Sequence, residues 1–91
     1  MTEPLLRFTH LVRVKFNQDG DLKLPNYPGD PDGHQAAFNT WLGEQGILPV
    51  IGGASGPGRF VAYYEPHDAE RVIAWWRNRL LGRGQVQQEI P

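Results

Sequence analysis

From Leu5 to Phe16 the chain alternates: Phe8, His10, Val12, Val14 and Phe16 fall on one side of an extended backbone, Arg7, Thr9, Leu11, Arg13 and Lys15 on the other. A period of two is the mark of a strand with one buried face. The run is the longest of its kind here, which predicts a central strand. An Asp-Gly turn follows within Asn17 to Asp21, and Leu22 to Leu24 reads as the short return arm of an extra hairpin before Pro25 stops it. The connection continues to Gly33, long for a compact domain, so residues 17–33 are expected to form a functional loop or a hairpin excursion.

Two stretches change the period from two to that of a helix. Asp30 before Pro31 is placed as a helix N-cap followed by proline at the first helical position. The helix then runs to about Gln45, with Phe38, Trp41, Leu42 and Gln45 on one stripe and Gly46 set to end it in a left-handed conformation. The second helix opens at Glu65-Pro66-His67-Asp68, where acids meet the positive end of the helix dipole. Its apolar stripe is Ala69, Val72, Ile73, Trp76 and Leu80; Arg77, Arg79 and Arg83 sit near its negative end, and Gly82 and Gly84 stop it.

Between the helices, Ile47 to Ile51 is predicted as a short edge strand, its proline being tolerated only at an edge. Gly52 to Gly58 is predicted as a flexible turn into a third strand, Arg59 to Tyr64, so that the two strands pair as an antiparallel hairpin. Gln85 to Ile90 alternates enough for a closing edge strand. The order β-α-β-β-α-β is the ferredoxin-like plan: an α+β domain over residues 1–91, with one antiparallel sheet and both helices on one face.

Composition narrows this picture. The 91 residues hold 9 basic and 10 acidic side chains, a net charge of −1, which argues against the broad basic surface that sequence-independent nucleic-acid binding needs. The chain has no cysteine, so disulfides and cysteine-based metal sites are excluded and stability must come from packing. No long apolar run and no targeting motif stands out, so a cytoplasmic location and no membrane contact are expected.

The segment Phe60-Val-Ala-Tyr-Tyr-Glu-Pro-His-Asp-Ala-Glu-Arg-Val-Ile73 resembles the third strand and second helix of RNA-recognition-motif domains. The resemblance implies that Phe60 takes the place of the last base-stacking aromatic, with Val61 and Tyr63 turned inward. The chain departs from the family at Gly58, which stands where another ring is stacked, at Pro57 in place of a glycine and at Gly56 in place of a basic residue. Leu11-Val-Arg-Val14 also lacks the aromatic of the first strand. Stacking needs rings and phosphates need cations, so the resemblance bears on the fold and leaves RNA binding as a third reading. Over its whole length the chain is also similar to dimeric α/β-barrel proteins, the group of muconolactone-isomerase-like enzymes and small cofactor-free monooxygenases. That similarity implies a sheet-to-sheet dimer with a small-molecule pocket between sheet and helices, and no catalytic signature carries over.

Candidate chemistry is sparse. Gly53 to Gly58 has the glycine spacing of a phosphate loop, but Arg59 and Phe60 stand where lysine and a hydroxyl residue are required, and a strand follows where a helix should. Ser55 lacks the setting of a nucleophile elbow. Asp19, Asp21, Asp30 and Asp32 do not have calcium-loop spacing, and His10, His34 and His67 share no zinc spacing, so no metal or cofactor is expected. His10 shares the inward side with Phe8 and Val12, as a hydrogen-bonded core histidine or, with Tyr63 beside Trp41, as the acid or base of a pocket. Leu11, Phe60 and Tyr64, with Arg13 and Lys15 beside them, are expected to form an apolar sheet surface facing away from the helices. Trp75, off the apolar stripe and close to Arg71 and Arg79, fits an interface anchor or a ring packed over the helix edge.

The leading expectation is therefore a small non-enzymatic interaction protein that uses this face and Trp75, as a homodimer or with a protein partner. A small-molecule enzyme or binder, with His10, Trp41 and Tyr63 lining its pocket, is the alternative.

Overall fold

The computed structural model describes residues 9–17, 20, 23–26, 30, 32–56 and 58–89. The elements follow in the order β1 (His10–Lys15), α1 (His34–Gln45), β2 (Ile51–Gly56), β3 (Arg59–Tyr64), α2 (Pro66–Leu80) and β4 (Gln85–Glu89). The strands make one antiparallel sheet in the order β2-β3-β1-β4. The expected α+β class, with four antiparallel strands and two helices, is what the chain adopts, and β1 is central. The outer part of the first predicted strand, Leu5 to Phe8, lies outside the described residues, as do Asp19, Asp21, Leu22, Pro31, Pro57 and Ile90. Lys23 and Leu24 are not strand: the Lys23 N–H donates to the Gly20 carbonyl at 3.0 Å in a tight turn, and Asn26 takes a positive φ of 62°.

Helix α2 follows its pattern most closely. Pro66 opens it where the missing N–H costs nothing, Asp68 lies in the first turn, and Arg77 and Arg79 lie in the last. Ala69, Val72, Ile73, Trp76 and Leu80 are all buried. The left-handed residue at its end is Leu81 (φ 51°), one position before the predicted glycine stop, and its N–H donates to the Arg77 carbonyl. Gly84 (φ 68°) then turns the chain into β4 so close to the Lys15 carbonyl that a Cβ there would collide with it.

Helix α1 begins at His34, not at Pro31. Asp30 still caps it: one carboxylate oxygen accepts the His34 N–H at 2.7 Å and the other the Gln35 N–H at 3.0 Å. Gly33, in the left-handed conformation, supplies the bend that lets a residue further back reach these first donors. At the other end Gly46 (φ 66°) terminates the helix as expected, and the Ile47 N–H donates to the Leu42 carbonyl at 3.1 Å.

The second strand is displaced from its predicted place. Ile47 to Val50 is irregular, and the glycine-rich stretch assigned to a turn is the strand itself. Ile47 is buried as a plug behind the helix end, while Leu48 is 80% exposed, so the apolar run does not mark a strand. An edge strand pairs on one side only and through its backbone, which glycine supplies as well as any residue; the proline, lacking an N–H, falls outside it. The register slips between Ile51 and Ala54, a bulge that bends this edge.

The larger correction concerns β3. Register pairs Val14 with Phe60, Val12 with Ala62 and His10 with Tyr64, so these residues share one side. Phe60, Ala62 and Tyr64 are buried in the core together with Val12, Val14, Phe38, Val72, Ile73 and Trp76. Phe60 and Tyr64 therefore point toward the helices, and Val61 and Tyr63 point away, the reverse of the expectation. The base-stacking place implied for Phe60 is lost with it. Arg59 is exposed at the strand's start, and alternation from it agrees with Phe60, Ala62 and Tyr64 turned inward.

Candidate functional site: the helix-free side of the sheet

The side of the sheet away from the helices is defined by register. Leu11 lies between Tyr63 and Glu89, Arg13 between Val61 and Gln87, and Lys15 between Arg59 and Gln85. β2 extends these rows, with Ile51 beside Tyr63 and Gly56 beside Arg59. The surface is thus graded: apolar and aromatic at the Leu11 end, cationic and amide-bearing at the Lys15 end. A cleft of about 510 Å³ lies over the cationic part, lined by Arg13, Val14, Lys15, Arg59, Val61, Gln85 and Gln87. None of the described lining residues is acidic. Lys15 and Arg59 stand directly opposite each other. Arg13 reaches Glu89 at 3.8 Å, with half of its own side chain still exposed.

The expected surface residues divide between the two sides. Arg13 is where it was expected. Leu11 shares its side but is only 6% exposed, flanked by the tyrosine and the glutamate, and so offers little apolar area. Phe60 and Tyr64 are core residues. Burial, and secondarily the carboxylate of Asp68, hold the Tyr64 hydroxyl well above the usual phenol range. The apolar sheet surface expected from Leu11, Phe60 and Tyr64 is therefore replaced by one dominated by cations and amides.

The pocket expected around His10, Trp41 and Tyr63 is not assembled. His10 lies on the helix side opposite Tyr64, whereas Tyr63 faces away. The His10 Nδ1 hydrogen-bonds the Gln88 side-chain amide at 2.7 Å, the satisfied-histidine arrangement. Trp41 stacks on Trp75 at 5.6 Å and on Phe38 at 6.1 Å.

Trp75 belongs to a seam between the helices. Arg71, Trp75 and Arg79 are spaced four apart on α2, which puts them on one line. The Arg71 guanidinium donates to the Gln45 side-chain oxygen at the end of α1. At the start of α1, Arg79 Nε donates to His34 Nδ1 at 3.0 Å and Arg79 Nη2 to the Asp32 carbonyl at 3.2 Å. Between them Trp75 packs on Phe38 and Trp41, with the Arg79 guanidinium 5.9 Å from its ring centre. The two helices therefore lie side by side in opposite directions. Of the two readings of Trp75, the packing found is that of a ring set over a helix edge, with Arg71 and Arg79 bonded to the two ends of α1.

Glu65, His67 and Asp68, at the opening of α2, bring ligand-type atoms within 4.8 Å of one another and are the described residues best placed to share a cation. His67 Nε2 lies 3.9 Å from the Glu65 carboxylate and 3.4 Å from that of Asp68, and acids at a helix N-terminus are favoured by the dipole. Asp30 is a cap, as above.

Val61, Arg59, Gln85 and Gln87 are the site residues that the reading of the sequence missed. The parity of Arg59 was the available signal for the first two: the rule that sent Arg13 and Lys15 outward on β1 sends Arg59, Val61 and Tyr63 outward on β3. The glutamines carried no comparable signal, since polar residues on a short edge strand serve equally to keep it soluble.

By fold and surface the molecule is an α+β protein with helices on one side of an antiparallel sheet and a cationic cleft on the other. Comparison with known proteins finds no matching family model, no matching curated protein and no matching solved structure. Among the described residues no helix is long and apolar enough to cross a membrane.

Proposed function

We propose that this is a ferredoxin-like interaction protein that binds a protein partner through the helix-free side of its sheet. The element order and the strand order β2-β3-β1-β4 support the ferredoxin-like reading. The single observation that carries the functional reading is the cleft lined by residues of β1, β3 and β4: it joins exposed arginine, two amides and the flank of Val61 on a rigid framework. Arginine with apolar flanks is the chemistry of protein contact surfaces. The competing small-molecule reading loses its motivating observation, since His10, Trp41 and Tyr63 do not converge.

A photo-crosslinking residue at Gln87, compared in cells with one at the exposed Asn78 on α2, tests this. A defined adduct from position 87 alone, with another protein or with a second copy, supports the face as the binding surface. Equal adducts from both positions, or none from 87, overturn it.

A further inference from the structure

We infer that His34 is a pH-sensitive latch between the two helices. Its neutral imidazole accepts a hydrogen bond from Arg79 and ties the end of α2 to the start of α1; a proton on that nitrogen breaks the tie.

The geometry fixes the state of the ring. An arginine side chain has only donors and stays charged throughout the pH range of a folded protein. Arg79 Nε lies 3.0 Å from His34 Nδ1, so this nitrogen carries the lone pair and the single proton of the imidazole is on Nε2. Nε2 in turn lies 3.5 Å from the Asp32 carboxylate. Phe16 meets the ring edge-on at 5.9 Å, Trp76 lies 6.5 Å away, and the His34 side chain is only 15% exposed. The imidazole is therefore set between a cation on α2, an anion before α1 and two neutral rings. Asp30 also stands before α1, with its carboxylate committed to the His34 and Gln35 backbone N–H groups.

Protonation adds one proton to Nδ1, and the ring then has two donors and no acceptor. Its new N–H points at the Arg79 Nε–H, cation against cation, so the contact that now spans 3.0 Å is lost. Asp32 holds the imidazolium through Nε2, and Arg79, whose side chain is exposed, is the partner free to move. At the other end of the seam Arg71 donates to the Gln45 amide oxygen, which does not titrate, and its nearest carboxylate, Asp68 at 3.7 Å, belongs to α2 itself. The seam therefore opens at one end only. His10 and His67 do not bridge the helices: His10 bonds Gln88 on β4, and His67 lies beside Glu65 and Asp68 at the opening of α2. An imidazole changes charge between about pH 5 and pH 8, so the tie is closed toward the upper end of that range and open toward the lower.

Nuclear magnetic resonance of the intact chain is the test. At about pH 8 the His34 ring should show the Nε2–H tautomer, and the Arg79 Nε–H signal should be displaced from that of a free arginine; by about pH 5 it should return to the free position in step with the His34 ring signals. His34→Gln keeps a side-chain acceptor that does not titrate and should hold the Arg79 signal constant over this range, whereas His67→Gln should leave the step in place. Far-UV circular dichroism at both ends of the range separates local release from unfolding. An Nδ1–H tautomer at the upper end, an Arg79 signal that stays fixed in the unmodified protein, a step that survives in His34→Gln, or loss of helix together with the step would overturn the inference. The tautomer and the Arg79 signal are read in the unmodified protein, so the test holds even where His34→Gln does not fold.

Discussion

The two sides of this sheet are built from the same strands and do opposite work. On the helix side Phe60 meets Phe38 edge-on at 4.8 Å, Phe16 stacks on Trp76 at 5.4 Å, and Trp76 is fully buried among them. On the other side the same strands present Arg13, Lys15 and Arg59. One side is specified by ring shape and burial, the other by charge and exposure. Stability should therefore be concentrated on one side and binding on the other, and substitutions that distinguish them probe the division.

The largest effect should come from the centre of the helix side. Trp76→Ala should cost about 3–5 kcal/mol in denaturant unfolding, whereas Val61→Ala across the sheet should cost under about 1 kcal/mol. Equal losses would erase the contrast. The Trp76 indole N–H is buried and has no hydrogen-bond partner among the described residues. Trp76→Phe removes that donor while keeping a ring, and should cost less than half as much as Trp76→Ala.

Next in size is the hinge that delivers β4 to both sides. Gly84→Ala forces a side chain into a left-handed position against a backbone carbonyl, and should cost about 1–3 kcal/mol in thermal or denaturant unfolding. Gly82→Ala also suffers from its positive φ but has open space around it, so it should cost less. Identical costs would remove the role assigned to the close approach to β1.

A smaller effect concerns pH. Because the folded protein holds the Tyr64 proton more tightly than the unfolded chain does, both states stay protonated below about pH 10 and this residue adds no pH dependence there. Above that value the unfolded chain loses the proton first, so stability falls as pH rises. Tyr64→Phe should flatten this alkaline fall in melting temperature. An unaltered slope in that variant would contradict the burial of the hydroxyl.

The smallest effect is on the cationic side. Arg59→Gln removes an exposed charge from the start of β3 and should change stability by less than about 0.5 kcal/mol in denaturant unfolding. A loss above 1 kcal/mol would mean that Arg59 is structural and would weaken its assignment to binding.

Much of the fold was legible because local chemistry and tertiary packing agree. In α2 the proline start, the acid of the first turn and the five-residue stripe all follow from helix geometry, and the core uses them unchanged. Strand β1 was legible for the same reason, its charges marking the outward side. β2 was not: glycine carries no side-chain pattern, and the apolar run from Ile47 to Ile51 divides between a core plug, an exposed leucine and the first strand residue. The candidate site was legible only at Arg13 and Lys15. Phe60 and Tyr64 misled because apolar residues occupy both parities of β3, and Trp75 left two readings open because a ring off one stripe can lie on the line facing a second helix.

The sequence by itself determined the kinds of element and their order, because periodicity, caps and turns are properties of a few consecutive residues. Which side of β3 faces the helices, where the edge strand begins and what Trp75 touches depended on strands and helices far apart in the chain, since each is settled by the burial of a neighbour that the local pattern does not contain. The cationic cleft exists for that reason alone: Arg13 and Lys15 on β1, Arg59 on β3, and Gln85 and Gln87 on β4 become one surface only when the sheet is assembled.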